Sequence, residues 1–235
     1  MKRLICMDLD GTLSQPRTRI DSLNYRVLEK LATRYKLLMV GAGSCMRIYA
    51  QLLNFPIDIL GNYGMQESRM EAGKFKMIRN DKIEVDLHEF TGKCAFLRQK
   101  YGYTAYYGES FEIHPSGMVT FPLLGTAAPI EEKLRFDSKG EKRRAMYREV
   151  RDLFPDYNAT IGGTNSFDFP KKEFSKYSSI CRYAVQHKYA KEEILFLGDD
   201  FADGGGDSSV RLGGDIDYLV VEDYRNFPDL MEPYL

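Results

Sequence analysis

Lys2–Met7 reads KRLICM and runs straight into Asp8-Leu9-Asp10-Gly11-Thr12. An apolar extended run ending in two carboxylates and a glycine predicts a first strand, a sharp turn and a cluster of charge at the strand's carboxyl end. Carboxylates gathered there are costly without a partner. Binding of Mg²⁺ and nucleophilic attack on phosphorus are the chemical uses that fit. A solvated Asp-Gly turn is the alternative reading of the same five residues.

The pattern repeats outward from this segment. Ile20, Leu23, Val27, Leu28 and Leu31 recur at helical spacing, with Asp21 or Ser22 as cap. Tyr35–Val40 (YKLLMV) then reads as a buried strand leading into Gly41-Ala42-Gly43-Ser44, and Met46–Leu53 as a helix. Ile57–Leu60 reads as a strand ending in Gly61-Asn62-Tyr63-Gly64. Alternating strands and helices imply a parallel α/β sheet with its loops at one edge. The pattern resumes late: a helix over Ser175–Gln186, a strand over Glu193–Leu197 ending in Gly198-Asp199-Asp200, the run Asp203-Gly204-Gly205-Gly206-Asp207, and a last strand over Ile216–Val221.

The middle differs. Lys74–Leu87 suggests a hairpin about Asn80-Asp81, Phe90–Lys100 a helix, Tyr101–Val119 antiparallel strands, Glu141–Leu153 a charged helix, and Thr160–Phe169 a strand. The expected architecture is α/β, a Rossmann-like parallel sheet core over residues 1–82 and 169–235 with an inserted α+β cap domain over 83–168.

Composition bounds the function classes. The chain has 235 residues, 33 basic against 34 acidic, 43% apolar and 29% charged. That balance gives no bulk signal for nucleic acid. Cys6, Cys45, Cys94 and Cys181 form no CxxC pair, which favours a reducing compartment. No apolar run approaches a membrane span or a signal h-region. A cytoplasmic protein with no membrane partner is the expectation.

Asp8, Asp10 and Asp199 meet if their strands lie centrally in one sheet. A Mg²⁺ ion would relieve their repulsion. Ser44 is placed to hold a phosphate oxygen or, alternatively, to cap a helix. Lys176 is placed to offset the carboxylates, the alternative being a surface lysine like Lys171 and Lys172. Asp207 is a further candidate metal group. Asp8, Asp10, Ser44 and Lys176 are thus the catalytic candidates, and Asp8, Asp10, Asp199 and Asp207 the metal candidates.

These residues resemble the haloacid dehalogenase-like superfamily, in the branch whose cap lies between the second and third motifs. The resemblance implies that Asp8 is the nucleophile and Asp10 the general acid/base. It aligns Ser44, Lys176 and Gly198-Asp199 with the remaining motifs. The sequence is most similar to the eukaryotic-type phosphomannomutases. The similarity runs through Phe55–Gly64, Gly117-Met118-Val119 with Gly125, Ile161–Asp168 (IGGTNSFD), Phe169–Lys176 and Gly198–Asp207. It implies a small phosphorylated metabolite, a sugar phosphate by preference, as partner, and a homodimer through the cap.

There are departures. Thr126 and His114 stand where the mutases carry cap arginines. Gly206 replaces an Asn, while Ser175 and Cys45 each replace an Asp. Loss of bidentate phosphate clamps is not conservative, and Arg135, Arg143 and Arg144 read as a charged helix surface. The expectation is therefore an Mg²⁺-dependent phosphatase working through an aspartyl-phosphate. The alternatives are a hexose phosphate mutase and a non-catalytic phosphometabolite-binding protein. The crowd of Tyr101, Tyr103, Tyr106 and Tyr107 is expected to pack within the cap.

Overall fold

The computed structural model describes residues 1–235. It divides into two compact units: Met1–Asn80, Phe174–Ala202 and Gly206–Leu235 in the first, Asp81–Glu173 with Asp203–Gly205 in the second. The return to the first unit thus falls after Glu173, because Tyr157 bridges to Lys171 beyond the last strand. Asp203–Gly205, which the sequence places in the core, groups with the second unit. Within that unit Ile161 N donates to Gly204 O, and Arg144 Nη1 donates to Asp203 O.

The first unit holds β1 (Leu4–Met7), α1 (Ser22–Ala32), β2 (Lys36–Val40), α2 (Cys45–Gln51), β3 (Asp58–Gly61), β4 (Gln66–Glu71) and β5 (Lys74–Asn80). The second holds α3 (Leu87–Tyr101), β6 (Glu112–Ile113), β7 (Val119–Pro122), α4 (Ile130–Phe136), α5 (Glu141–Leu153), β8 (Thr160–Gly162) and β9 (Ser166–Phe169). The chain then returns through α6 (Lys176–His187), β10 (Ile194–Gly198), α7 (Ser208–Gly213), β11 (Asp217–Val220) and α8 (Phe227–Met231). No helix is long and apolar enough to cross a membrane.

The large sheet has the order β11-β10-β1-β2-β3-β4-β5. The first five strands are parallel, and β4 and β5 run antiparallel at one edge. The central strands β1, β2 and β10 are apolar almost throughout because helices cover both faces. Ile5, Met7, Met39 and Leu197 pack on one side with Val27, Leu28 and Leu31 of α1, while Cys6, Leu38 and Phe196 pack on the other with Ile180 and Tyr183 of α6. Asp21 settles the capping choice for α1, its carboxylate accepting from Leu23 N and Asn24 N.

The expected hairpin about Asn80-Asp81 is displaced. The turn lies at Ala72-Gly73, both with positive φ (50° and 74°), joining β4 to β5. Two positive φ values are what a tight hairpin between twisted strands requires. β4 escapes notice because Gln66, Glu67 and Ser68 are polar yet buried.

At the opening residue of β3, Asp58 is buried and accepts from Met70 N (2.9 Å), Tyr183 Oη (2.8 Å) and Lys36 Nζ (2.7 Å). Burial pushes this carboxyl up, but the bonds from Lys36, Met70 and Tyr183 outweigh it and hold it below the usual range. Such a group contributes stability above the unfolded carboxylate pKa of about 3.9 and loses it as pH falls through the lower folded value. Asp58→Asn is expected to cost about 2 kcal/mol at pH 7, since donors facing the new amide NH₂ lose their acceptor. In urea titrations that difference should shrink steadily below about pH 4.

The second unit is a four-stranded antiparallel sheet, β6-β7-β9-β8. Alternation along the strands sends Val119, Phe121, Ile161, Phe167 and Phe169 into a core with Phe90, Cys94 and Leu97 of α3 and Met146 and Val150 of α5. Thr120, Asp168 and Thr160 form a cross-strand row on the opposite face.

Two expectations fail in this unit. Only Glu112–Ile113 and the residues from Val119 onward are strand; residues 103–111 are irregular. Arg98 organises them, donating to Tyr103 O, Ser110 O, Pro122 O and Leu123 O from a guanidinium 3.9 Å from the Tyr106 ring. Of the tyrosine crowd, only Tyr101 and Tyr103 pack against the unit's core, Tyr101 bonding Glu149, whereas Tyr106 and Tyr107 are exposed, Tyr107 bonding Glu132. Arg143 is not on a charged surface but 2% exposed. It pairs with Asp137 (2.9 Å) and donates to Gly162 O and Gly163 O, stapling the β8–β9 turn.

Candidate active site

β1 and β10 are neighbours in register, Met7 opposite Leu197, so Asp8 and Asp199 leave adjacent strands at the same edge. Asp8 N still donates to Leu197 O (2.9 Å), which carries the ladder one residue further. Gly11, at φ +94°, supplies the tight turn, and a Cβ there would lie 2.5 Å from Asp199 Oδ2. Thr12 Oγ1 donates to Asp199 Oδ1 at 3.0 Å.

One oxygen each from Asp8, Asp199 and Asp207 lie within 4.8 Å of one another. Lys176 is buried among them, its Nζ 2.9 Å from Asp8 Oδ2 and 2.6 Å from Asp207 Oδ1. It begins α6 behind the cap Ser175, whose hydroxyl accepts from Ser178 N. Asp207 is fully buried. Its second oxygen accepts from Asp199 N and Asp200 N, each at 3.0 Å, so both of its oxygens hold the site together. Gly198 makes room, since a Cβ there would lie 2.4 Å from that oxygen.

The electrostatics follow from this crowding. Burial, reinforced by Asp207, pushes Asp8 up to about 6 against the pull of Lys176. Asp199 is pushed up to about 8 by lost hydration and then by the charges of Asp8 and Asp207, although part of its surface still meets solvent. Burial acts to lower Lys176, but Asp207 and Asp8 outweigh it and keep the ammonium charged. Hard oxygens under mutual repulsion, two of the three carboxylates partly solvent-reached, are the donor set a divalent cation fits. Asp8 and Asp199 would hold it, with Asp207 behind them.

A family model described as eukaryotic phosphomannomutase matches residues 106–215. A phosphomannomutase of Encephalitozoon cuniculi is 26% identical over 233 residues, covering 94% of this chain and 88% of that protein. Phosphomannomutase 1 of Homo sapiens is 24% identical over 223 residues, covering 89% and 83%. Among solved structures, an IMP-bound, N-terminally truncated IMP-nucleotidase of Plasmodium falciparum superposes with a TM-score of 0.73 at 14% identity, over all of this chain and 68% of that one. A haloacid dehalogenase-like hydrolase from Bacteroides thetaiotaomicron gives 0.60 at 14% identity, both chains covered in full.

The chain is similar to the phosphomannomutases along most of its length and has the fold of haloacid dehalogenase-like hydrolases.

Within this site, Asp10 does not join the other acids. The sequence expects it among the metal groups, but its carboxylate is drawn aside by Arg17 N (2.7 Å), Arg47 Nη1 (3.0 Å) and Gln51 Nε2 (3.1 Å). Ser44 is the N-cap of α2, its Oγ accepting from Arg47 N at 3.3 Å. The glycine loop before it is tied down by Asn62 and Tyr63: Asn62 N donates to Gly43 O, Asn62 Nδ2 to Ala42 O and Tyr63 N to Gly41 O. The sequence reads those two residues only as a turn, whereas in the structure both hold positive φ values (47° and 56°).

In the second unit, the two positions where the resemblance implies arginine are engaged locally. His114 Nε2 lies 2.9 Å from Thr120 Oγ1, and Thr120 donates onward to Asp168 Oδ1 at 2.8 Å. Thr126 Oγ1 accepts from Glu109 N.

Proposed function

We propose that this haloacid dehalogenase-like enzyme is a hexose phosphate mutase of the phosphomannomutase kind. The observation that carries the reading is full-length similarity to curated phosphomannomutases, joined to the Asp8–Lys176–Asp207–Asp199 arrangement. The chemistry has two halves. A carboxylate oxygen of Asp8 attacks phosphorus, the bond to the sugar oxygen breaks, and Asp10 gives that oxygen a proton, leaving an aspartyl-phosphate. Asp10 then takes the proton from the free hydroxyl of a sugar monophosphate, whose oxygen attacks the same phosphorus and frees Asp8; the bisphosphate so formed turns round and gives its other phosphoryl group to Asp8. Lys176 keeps the nucleophile ionised and in place throughout. A Mg²⁺ ion, when bound by Asp8 and Asp199, supplies positive charge to the phosphoryl oxygens.

Hydrolysis is the second reading, and the engagement of His114 and Thr126 within their own unit favours it. The expectation of a phosphatase, drawn from Thr126 and His114 standing in place of cap arginines, thus becomes the alternative. One assay separates the two. Mannose 1-phosphate or glucose 1-phosphate is supplied with Mg²⁺ and a catalytic amount of the matching 1,6-bisphosphate. Accumulation of hexose 6-phosphate is the expected result. Inorganic phosphate as the main product would overturn the mutase in favour of the phosphatase, and neither product would leave only a binding role.

A further inference from the structure

We propose that Arg47 is the positioning residue for the acid/base carboxylate Asp10, an inference that rests on the phosphoryl-transfer reading above. Asp10 lies two residues from Asp8, in a loop already crowded with negative charge. Nothing in the local sequence decides whether its carboxylate joins the other acids or stands apart to handle protons. The structure assigns that choice to α2. Arg47 and Gln51 are four residues apart, on one face of the helix, and both reach Asp10. Gln51 Nε2 and Arg17 N bond Oδ1, while Arg47 Nη1 is 3.0 Å from Oδ2. The neutral donors therefore fix one oxygen as a pivot, and the guanidinium fixes the direction in which the other points.

Two further features are built around this contact. The guanidinium folds back over the glycine loop, where a Cβ on Gly43 would fall 2.2 Å from Nη2 and 2.4 Å from Nε. A side chain at Gly43 would push the guanidinium out of this position. Arg17 holds a φ of +62°, a costly conformation for a residue with a side chain, and its N–H is thereby directed at Asp10. An acid/base group delivers its proton only when held within hydrogen-bond reach of the reacting oxygen. Arg47 is also the nearest cation to Asp10, so it offsets the charge that the carboxylate carries between the two half-reactions.

The test exploits the leaving group. p-Nitrophenolate departs from phosphorus without a proton, whereas a sugar oxygen needs one. Arg47→Ala is expected to form p-nitrophenol at close to the wild-type rate in single turnovers with enzyme in excess. The single-turnover rate on mannose 1-phosphate should fall about 10²-fold, with KM within about threefold of wild type. Arg47→Lys should recover part of the loss, and adding Arg47→Ala to Asp10→Asn should cost nothing more. Equal losses on both esters would overturn the proposal, because they would mean that Arg47 supports the nucleophile or the fold. A loss confined to KM would also overturn it and make Arg47 a phosphate grip. Wild-type protein that turns over neither ester would instead overturn the phosphoryl-transfer reading itself, and the inference with it.

Discussion

Asp8→Asn is expected to abolish phosphoryl transfer, by about 10⁴-fold or more, while leaving the metal-free protein at least as stable as the wild type at pH 7.5. The first half follows from chemistry, since an amide has no oxygen nucleophile to attack phosphorus. The second follows from the crowding. Asp8 is pushed up to about 6 by burial first and by Asp207 as well, with Lys176 opposing. A carboxyl whose folded value is raised subtracts stability above that value and nothing below the unfolded one. Removing its charge therefore removes a penalty at pH 7.5, while Lys176 keeps Asp207 as partner. Phosphate-transfer assays and thermal melts on the same samples check both halves. Added Mg²⁺ should raise the melting temperature of the wild type and barely move that of the variant. A variant that melts far below the wild type would show that Asp8 serves the fold rather than straining it.

Lys176→Met carries the largest expected loss of stability, about 3–5 kcal/mol. Methionine keeps much of the stem's bulk, so the change isolates the ammonium. Its removal leaves Asp8 and Asp207 facing each other without a cation, and Lys176 is only 2% exposed, so water cannot take its place. At about 2–4 °C per kcal/mol for a chain of this size, the melting temperature should drop by about 10 °C. Adding Asp207→Asn should restore part of it, because the two changes act on one ion pair and do not add. A drop equal to the sum of the single variants would show that the ammonium stabilises the site by another route.

Much of the first unit was legible because its central strands announce themselves. KRLICM, YKLLMV and EILFL are apolar runs closed by turn residues, and acids stand at the carboxyl ends of the first and the last. What stayed hidden were polar groups whose partners are distant or are backbone. Gln66, Glu67 and Ser68 break the alternation that marks a strand, yet all three are buried. Arg98 and Arg143 look like surface charge in their helices. Their partners are mainly carbonyl oxygens, which no sequence displays. Asp10 illustrates the limit within the site. The spacing DLD says that two acids share a loop, but the residues that turn one of them aside lie 37 and 41 positions away.

The pairing of β1 with β10 also has a cost in time. Leu4–Met7 finds its partner strand at Ile194–Leu197, so one flank of an entirely apolar strand stays unpaired until most of the chain exists. At ribosomal rates of about 5–20 residues per second, that wait is on the order of ten seconds or longer. The nascent polypeptide therefore spends its synthesis with an adhesive edge exposed. Newborn copies should depend on chaperone shelter far more than finished ones that unfold and refold.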